Sequence, residues 1–286
     1  MKKTLVCSLF LAPLLGAAPL NPKEVPAKAQ WFVHGDMDAM RKTDSGTILM
    51  GAIERDHGEK IAEATEFLGF NPMKDLSDVT LFGDGKMDRA AIVFRGNMNR
   101  EHLETVISHA EEYFQSAHGE TTIHQWQDNG KTQHAAFHGA KTVVISEQKD
   151  FVQYTLDVLA GKKPGLDKAP EAASDQPFLM GFANIQNIDL PEDEGSRIVR
   201  KAKTIQFALS EKGERLNARM ILKANDEATA SHLKDAMAGL VAIGSLADDN
   251  INNLGIQHQG SVEGDTMDMS MSLSVSKALA LLSQMK

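Results

Sequence analysis

Apolar and polar positions along this chain follow two periods, and each change of period marks the edge of a predicted element. Alternation at every second residue is typical of a strand, whereas apolar residues three and four apart are typical of a helix. The alternation predicts one strand at residues 31–33 and another at 178–182. Helical spacing dominates residues 37–69, where we predict two amphipathic helices that break near His57 and Gly58.

One run of elements occurs twice in the chain. Residues 77–110 read as strand, turn, strand, short polar loop and helix, and residues 203–240 repeat that order. Self-similarity on this scale indicates a repeated structural unit. We therefore predict an α+β fold of two repeated units, each an antiparallel sheet covered by helices on one side. The units span 29–163 and 175–286, and a linker rich in proline, alanine and charged residues joins them at 164–174.

Local signals complete the first predicted unit. Asn99 is predicted to cap a helix that continues to Tyr113 and Phe114. The apolar face of this helix consists of Leu103, Val106, Ile107 and Ala110. A three-stranded meander and a helix at 149–159 follow, whereas residues 21–28, with two prolines, are predicted to be a flexible leader. Whether the sheets of the two units lie edge to edge or face to face stays open.

The first eighteen residues predict export. Lys2 and Lys3 precede an apolar run of about eleven residues, which is too short to span a bilayer. Small residues at 16–18 suit cleavage, so residues 1–18 are predicted to be a signal peptide and the protein to be secreted or periplasmic. Cys7, the single cysteine, lies in this segment. The mature protein is therefore expected to lack disulfides and thiolate metal sites.

The charge balance narrows the classes of partner. The chain has 39 acidic against 30 basic residues and a formal net charge of −9, which becomes −11 when Lys2 and Lys3 are removed. An acidic surface repels phosphate backbones, so we expect an extracellular protein or glycoprotein as partner and no nucleic acid. No later segment is apolar for long enough to predict a membrane span. The glycines lack the spacing of phosphate-binding motifs, so no cofactor is predicted.

The sharpest candidate for catalysis is the string Asp44, Ser45, Gly46 and Thr47, which matches the D-[ST]-G-[ST] signature of aspartic peptidases. In such enzymes two carboxylates share a proton and activate a water molecule for attack on a peptide carbonyl. Glycine lets the loop turn tightly, and the hydroxyl groups hydrogen-bond the carboxylate. This pattern makes Asp44 the predicted catalytic carboxylate.

A structural interpretation of the same string competes with catalysis. Residues 48–50 read as helix, so the alternative is that Asp44 or Ser45 is a helix N-cap. A second D-[ST]-G string does not occur in the sequence, although a bilobed enzyme needs two. A homodimer would supply the second aspartate, and the sequence is compatible with one.

Three histidines form a second constellation. His134 and His138 are four residues apart on a predicted strand and therefore share a face, while His124 lies on the preceding strand. Three imidazoles and one open position would suit zinc. The alternative, which we favour, is an exposed polar face of an antiparallel sheet, so no metal is predicted.

The signal segment, residues 31–38, residues 67–83 and the duplicated hairpin and helix resemble a family of secreted bacterial proteins of verrucomicrobial and planctomycete type. The chain is also similar to mucin-degrading aspartic-type peptidases, and this resemblance implies that Asp44 is catalytic. The resulting prediction is an aspartic-type endopeptidase that degrades a mucin-like substrate. The alternative is a non-catalytic extracellular or envelope module for binding or scaffolding.

Overall fold

The computed structural model describes residues 19–173, 176–247 and 255–277. The predicted signal peptide, residues 1–18, lies outside these ranges, as do residues 174–175 at the predicted boundary between linker and second unit. The strands are β1 (Trp31–Asp36), β2 (Leu76–Gly83), β3 (Ala90–Gly96), β4 (Phe114–His118), β5 (Thr121–Asp128), β6 (Lys131–His138), β7 (Thr142–Ser146), β8 (Leu179–Asn184), β9 (Ala202–Lys212), β10 (Arg215–Ala224), β11 (Gln257–Glu263) and β12 (Thr266–Ser274). The helices are α1 (Met37–Arg41), α2 (Asp44–Leu68), α3 (Pro72–Asp75), α4 (Arg100–Ser108), α5 (Lys149–Leu159), α6 (Glu194–Val199) and α7 (Glu227–Ala247).

All of these strands belong to one sheet. Their order is β11-β12-β10-β9-β8-β1-β2-β3-β7-β6-β5-β4, and neighbouring strands pair antiparallel. The predicted α+β class with antiparallel pairing is therefore confirmed, and the strands form one large sheet. The two halves of the chain meet edge to edge through β1 and β8, which settles the question that the sequence left open.

Close packing on both faces of the sheet accompanies the pairing of β1 with β8. Phe32 and Phe182 are cross-strand partners whose rings stack with centroids 6.2 Å apart. On the opposite face, the ring of Phe207 lies over Gly181, where a Cβ atom would be 2.3 Å from the ring. Only glycine leaves room for that ring, so this position depends on the absence of a side chain.

Helices cover both faces of the β1–β7 part of the sheet. We call the side of the sheet on which α5 lies the α5 face. There Phe82 and Val144 form a core with Phe151. The opposite side is the α4 face, where Phe94 and Val143 and their neighbours pack against Leu103 and other residues of a second core. The prediction that helices cover one side was wrong here, because these strands are apolar on both faces and each face needs cover.

The β9–β12 part is covered differently. α7 lies on the α4 face, where Met267 and Met269 are 0 % and 2 % exposed. On the α5 face, Ser270 in the middle of β12 is exposed. Among the described residues, this part of the sheet therefore has no covering helix that corresponds to α5. Within the described ranges, the contrast leaves a polar surface on the α5 face of β9–β12.

The N-terminal leader is packed and not flexible. Val25 is 1 % exposed and belongs to the core of the α5 face. The backbone N–H of Leu166 donates to the carbonyls of Pro22 and Val25, which ties the leader to the segment after α5. Burial of Val25 offsets the entropy of ordering a short segment that contains two prolines.

The predicted helices agree with the structure at α5 and at the break in α2, where His57 has φ −134° and ψ 16°. Asn99 caps α4 as predicted. The helix ends at Ser108, however, and Phe114 begins the edge strand β4. Pairing with β5 along five residues outweighs the helical spacing of Tyr113 and Phe114.

Gly181→Ala is expected to lower the free energy of unfolding by about 1–3 kcal/mol, because the new methyl group would overlap the Phe207 ring. Gly35→Ala is the matched control on β1, since a Cβ atom there meets nothing within 4 Å. The control should change stability by less than about 0.5 kcal/mol. Urea denaturation of both variants checks this, and equal losses would contradict the close packing at the junction.

Candidate functional site

The aspartic-peptidase string forms the start of helix α2. Thr43 is the N-cap, and its hydroxyl oxygen accepts a hydrogen bond from the N–H of Gly46 at 3.1 Å. Asp44 is the first helical residue and is exposed, whereas Ser45 and Gly46 are buried. The string therefore begins a helix, as the alternative to catalysis predicted, but the N-cap is Thr43 and not Asp44 or Ser45.

A carboxylate from the sheet binds this helix start. Glu211 of β9 accepts hydrogen bonds from the N–H of Asp44 at 3.3 Å, and from the N–H and hydroxyl of Ser45 at 2.7 and 2.5 Å. A negative charge is stabilised at a helix N-terminus, where backbone N–H groups lack partners within the helix. The acidic group nearest to the string therefore holds α2 against the sheet.

The glycine of the string has its own packing reason. A Cβ atom at Gly46 would lie 2.0 Å from the carbonyl oxygen of Met40. Helices α1 and α2 are in close contact here, and a side chain at this position would force them apart. Ser45 and Gly46 thus have structural explanations in the turn between α1 and α2.

Two buried carboxylates do lie side by side elsewhere. Asp36 and Asp78 are cross-strand partners on the α5 face, and each is 2 % exposed. Asp36 caps α1 by accepting a hydrogen bond from the N–H of Ala39 at 2.7 Å. Sequence reasoning missed Asp78, because only the strand register reveals that Asp36 lies opposite it.

Asp78 has a different partner from Asp36. Its carboxylate pairs with the guanidinium of Arg95 at 2.8 Å, and Arg95 also pairs with Glu24 of the leader. Burial raises the pKa of Asp78 to about 6, against the attraction of Arg95. Because each aspartate has its own partner beneath the leader, the geometry is that of a structural ion-pair cluster and not of two carboxylates that share a proton.

The strand register separates the three candidate zinc ligands. His124 pairs with Ala135, whereas Gln125 pairs with His134, so His124 lies on the α4 face and His134 on the α5 face. His138 shares the α5 face with His134. Within the described part of the chain, no three His, Cys, Asp or Glu side chains gather into a group that would hold a metal.

His124 and His134, the two buried members of this set, are both held by hydrogen bonds. The ring nitrogens of His134 lie 3.2 Å from the carbonyl oxygen of Glu147 and 3.2 Å from Oε1 of Gln125. Nδ1 of His124 lies 2.9 Å from the hydroxyl of Tyr113. Burial lowers the pKa of both His124 and His134, so both are neutral at neutral pH.

A cavity of about 400 Å³ lies between helix α4 and the sheet. We call it the α4 cavity. Its helical wall includes Leu103, Val106 and Ile107, and residues near the end of α2 close one end. Its sheet wall includes Val79, Phe94, Trp126, Ala135, Val143 and Ile145. The lining is almost entirely apolar, so the chemistry that this cavity supports is burial of an apolar group.

Local contacts set the position of α4 over the cavity. Gly69 ends α2 with φ +72° in the left-handed region, which glycine adopts without strain. The ring nitrogen Nε2 of His102 in α4 lies 3.2 Å from the carbonyl oxygen of Phe67, near the end of α2. Phe67 itself is 64 % exposed, so the cavity opens to solvent beside it.

The amphipathic pattern identified the cavity's helical wall without revealing the cavity. Leu103, Val106, Ile107 and Ala110 are the predicted apolar face of the helix, and all four line the space. A stripe of this kind looks the same in sequence whether it packs fully against a sheet or leaves a gap. Only the separation of α4 from the sheet distinguishes the two cases.

A second concave surface is polar. It lies on the α5 face of β9–β12, encloses about 380 Å³, and includes Lys212 and Arg219. One register row across the four strands consists of Ser210, Asn217, Ser272 and Gln257. Hydroxyl and amide groups in a row present hydrogen-bond donors and acceptors to whatever covers the face.

No helix within the described ranges combines the length and apolar content that crossing a bilayer requires. No family model and no curated protein matches the chain. Among solved structures, crystal form III of TP0453 superposes with a TM-score of 0.53 at 9 % identity, over 93 % of this chain and 98 % of that chain. Crystal form I of TP0453 gives 0.52 at 10 % identity, with the same coverage of both chains. Identity this low shows a shared fold and leaves function to be argued from the site.

Asp78→Asn is expected to remove a pH dependence of stability. The folded-state pKa of about 6 lies above the ordinary value of 3.8, so protonation favours the fold. The wild type should therefore lose stability at this residue as pH rises from about 4 to about 6, by at most about 3 kcal/mol, and the variant should not. Urea denaturation across this range checks the difference between the two proteins.

Asp167→Asn, at a fully exposed carboxylate, serves as the control. Its stability relative to wild type should not follow the trend of Asp78→Asn. A constant difference between Asp78→Asn and wild type across the range would show that burial does not dominate at Asp78.

Proposed function

We propose that the protein is a non-catalytic binding module that holds an apolar chain in the α4 cavity. The observation that carries this proposal is the cavity itself, because its volume of about 400 Å³ falls in the class of small-molecule sites and its lining is apolar. About ten methylene groups removed from water would contribute roughly 8 kcal/mol before the cost of association. A micromolar Kd is therefore the tightest affinity expected from such a chain alone.

Apolar walls separated by a space of this size favour an apolar ligand, because a ligand supplies dispersion contacts that the walls do not make with each other. Phe67 and Ile92 line the cavity and are 64 % and 37 % exposed. This exposure supports entry of a chain from the side where α2 ends.

The endopeptidase predicted from sequence, acting on a mucin-like substrate, is the competing proposal. It has weaker support from the geometry, because Asp44 lies exposed on the first turn of a helix. The neighbouring carboxylate of Glu211 accepts hydrogen bonds from backbone N–H groups. A peptidase needs a second carboxylate that shares a proton with the first, and a homodimer would have to supply it.

The cellular location of the protein and its partner are further proposals. We propose a secreted or periplasmic protein, on the strength of the predicted signal peptide. An extracellular protein or glycoprotein is the proposed partner for the polar surface on β9–β12. Its open row of Ser, Asn and Gln side chains supports contact with a hydrogen-bonding surface.

An internal duplication is also proposed. From the junction outward, the chain runs β1, β2, β3 and α4 on one side and β8, β9, β10 and α7 on the other. Both series start from adjacent strands at the centre of the sheet. This matching order supports two repeated units that share one sheet.

Ala135→Leu is expected to weaken binding of the neutral apolar dye N-phenyl-1-naphthylamine about tenfold, because the larger side chain fills part of the cavity. Ala117→Leu, at an exposed position on β4, is the matched control and should leave the dye affinity unchanged. Fluorescence titration measures both, and circular dichroism verifies the fold. Equal dye affinity in a folded Ala135→Leu protein would contradict the assignment of the site.

Asp44→Asn separates binding from peptidase activity. Under the binding proposal, the variant folds, binds the dye as wild type does, and leaves any mucin cleavage in the preparation unchanged. Under the peptidase proposal, it abolishes cleavage, and a transition-state analogue of peptide hydrolysis blocks the wild type. Cleavage that requires Asp44 and yields to such an analogue would overturn the binding proposal as the main function.

A further inference from the structure

A second apolar groove lies on the α4 face of the sheet. This groove beside β8 and β9 encloses about 350 Å³, and its walls include Trp31, Val33, Ile188, Ile205 and Phe207. The ring of Phe207 lies over Gly181, and the cross-strand partner of Gly181 on β1 is Val33. The groove and the α4 cavity are therefore two apolar spaces on one side of the molecule.

One register row connects the two spaces. Residues directly opposite each other in antiparallel strands share a face. From β7 to β9 this row consists of Ile145, Ile92, Leu81, Val33, Gly181 and Phe207. Ile145 and Ile92 line the α4 cavity, whereas Val33 and Phe207 line the groove beside β8 and β9. Leu81 is therefore the one residue of the row between the two linings.

The part of the row that links the spaces is apolar and incompletely buried. Ile92 is 37 % exposed, and Leu81 and Val33 are half-buried. The same central strands bury their α5 face far more completely, since Phe32 and Phe82 are 2 % and 0 % exposed. An apolar strip left exposed on central strands is typical of an interaction surface.

Helices cover the neighbouring row on the side of α1. In that row Phe94 belongs to the core that contains Leu103 of α4. Leu209, farther along the same row, belongs to the core that contains Met50 of α2. The linking row therefore runs along the edge of this helical cover, where a thin chain can lie against the sheet.

The length of the row determines the length of chain that it accommodates. Five interstrand spacings of about 4.8 Å separate β7 from β9, so the row spans about 24 Å. With C–C bonds of about 1.5 Å at tetrahedral angles, an extended chain advances about 1.25 Å per carbon. About 18 carbons therefore span the row, whereas the roughly ten methylene groups assigned to the α4 cavity reach only about halfway.

We propose that the α4 face binds one aliphatic chain of about 16–18 carbons, which begins in the α4 cavity, crosses Leu81 and ends in the groove beside β8 and β9. This inference rests on the proposed function and specifies the length and path of its ligand. Continuity of the row with the α4 cavity makes the exposed strip part of the same site.

Competition against N-phenyl-1-naphthylamine by fatty acids of ten, twelve, fourteen and sixteen carbons tests the length. The acids are used below the concentrations at which they aggregate. Their Kd should fall about fourfold with each added pair of carbons, since a chain on an open sheet face buries about half of each methylene. A Kd that stops falling beyond decanoate would overturn the inference.

Val33→Thr tests the path. The variant keeps the shape of the side chain and its strand propensity, but it places a hydroxyl group on the linking row. It should weaken palmitate about fivefold and change the affinities for decanoate and the dye by less than twofold. Val262→Thr, at a half-buried valine of β11 outside the row, is the matched control and should change none of the three. Equal palmitate affinity in folded Val33→Thr overturns the path.

Two measurements on the wild type keep the test decisive if Val33→Thr does not fold. Nuclear Overhauser effects from bound palmitate should reach the methyl groups of both Ile145 and Ile205, and those from decanoate should reach Ile145 alone. Calorimetric titration should give one palmitate per chain. Palmitate contacts that never reach Ile205, or two palmitates per chain, would contradict a single continuous site.

The outcomes separate the two proposals. Failure of both the dye and decanoate to bind wild type overturns the proposed function itself. Decanoate binding in the α4 cavity without a further gain for palmitate overturns only the extension to the groove beside β8 and β9. A gain with chain length that depends on Val33 supports both.

Discussion

Antiparallel pairing of β1 with β8 is the interaction on which the rest of the structure depends. It makes one sheet from strands that lie about 150 residues apart in the chain, as in the pairing of Phe32 with Phe182. Bonds flank the pair at both ends, from Asp36 N–H to the Phe178 carbonyl and from Asn184 N–H to the Gln30 carbonyl. Because the sheet is continuous, the helices can be arranged only above and below it.

That arrangement determines where ligands have access. The α5 face of β1–β7 is filled by α5 and the leader, with the Asp78–Arg95 pair at its edge. The α4 face is filled less completely, because α4 meets the sheet through Leu103 and leaves the α4 cavity along the rest of its length. Apolar walls and an opening beside Phe67 then limit the ligand class more strongly than any sequence motif does.

The sequence predicted what depends on local pattern. Alternation located most of the strands, and the 3.6-residue period located α5 and the break at His57. It failed where distant partners decide. Phe114 belongs to β4 because it pairs with β5. His124 pairs with Ala135 and not with His134, and this shift of one residue places the two imidazoles on opposite faces of the sheet, where they cannot share a zinc ion.

The string at Asp44 resembled a catalytic motif because helix starts and catalytic loops select the same residues, namely Asp, Ser, Gly and Thr. The cavity was beyond sequence reasoning, since a stripe such as Leu103 and Val106 does not reveal how far a helix stands from its sheet.

The central claim is that an apolar chain occupies the space beneath α4. Nuclear Overhauser effects between bound 1-decanol and methyl-labelled Val, Ile and Leu side chains test it most directly. The account predicts contacts to the methyl groups of Val106, Val143 and Ile145. Contacts confined to Ile188 and Ile205, which line a separate apolar groove beside β8 and β9, would contradict it.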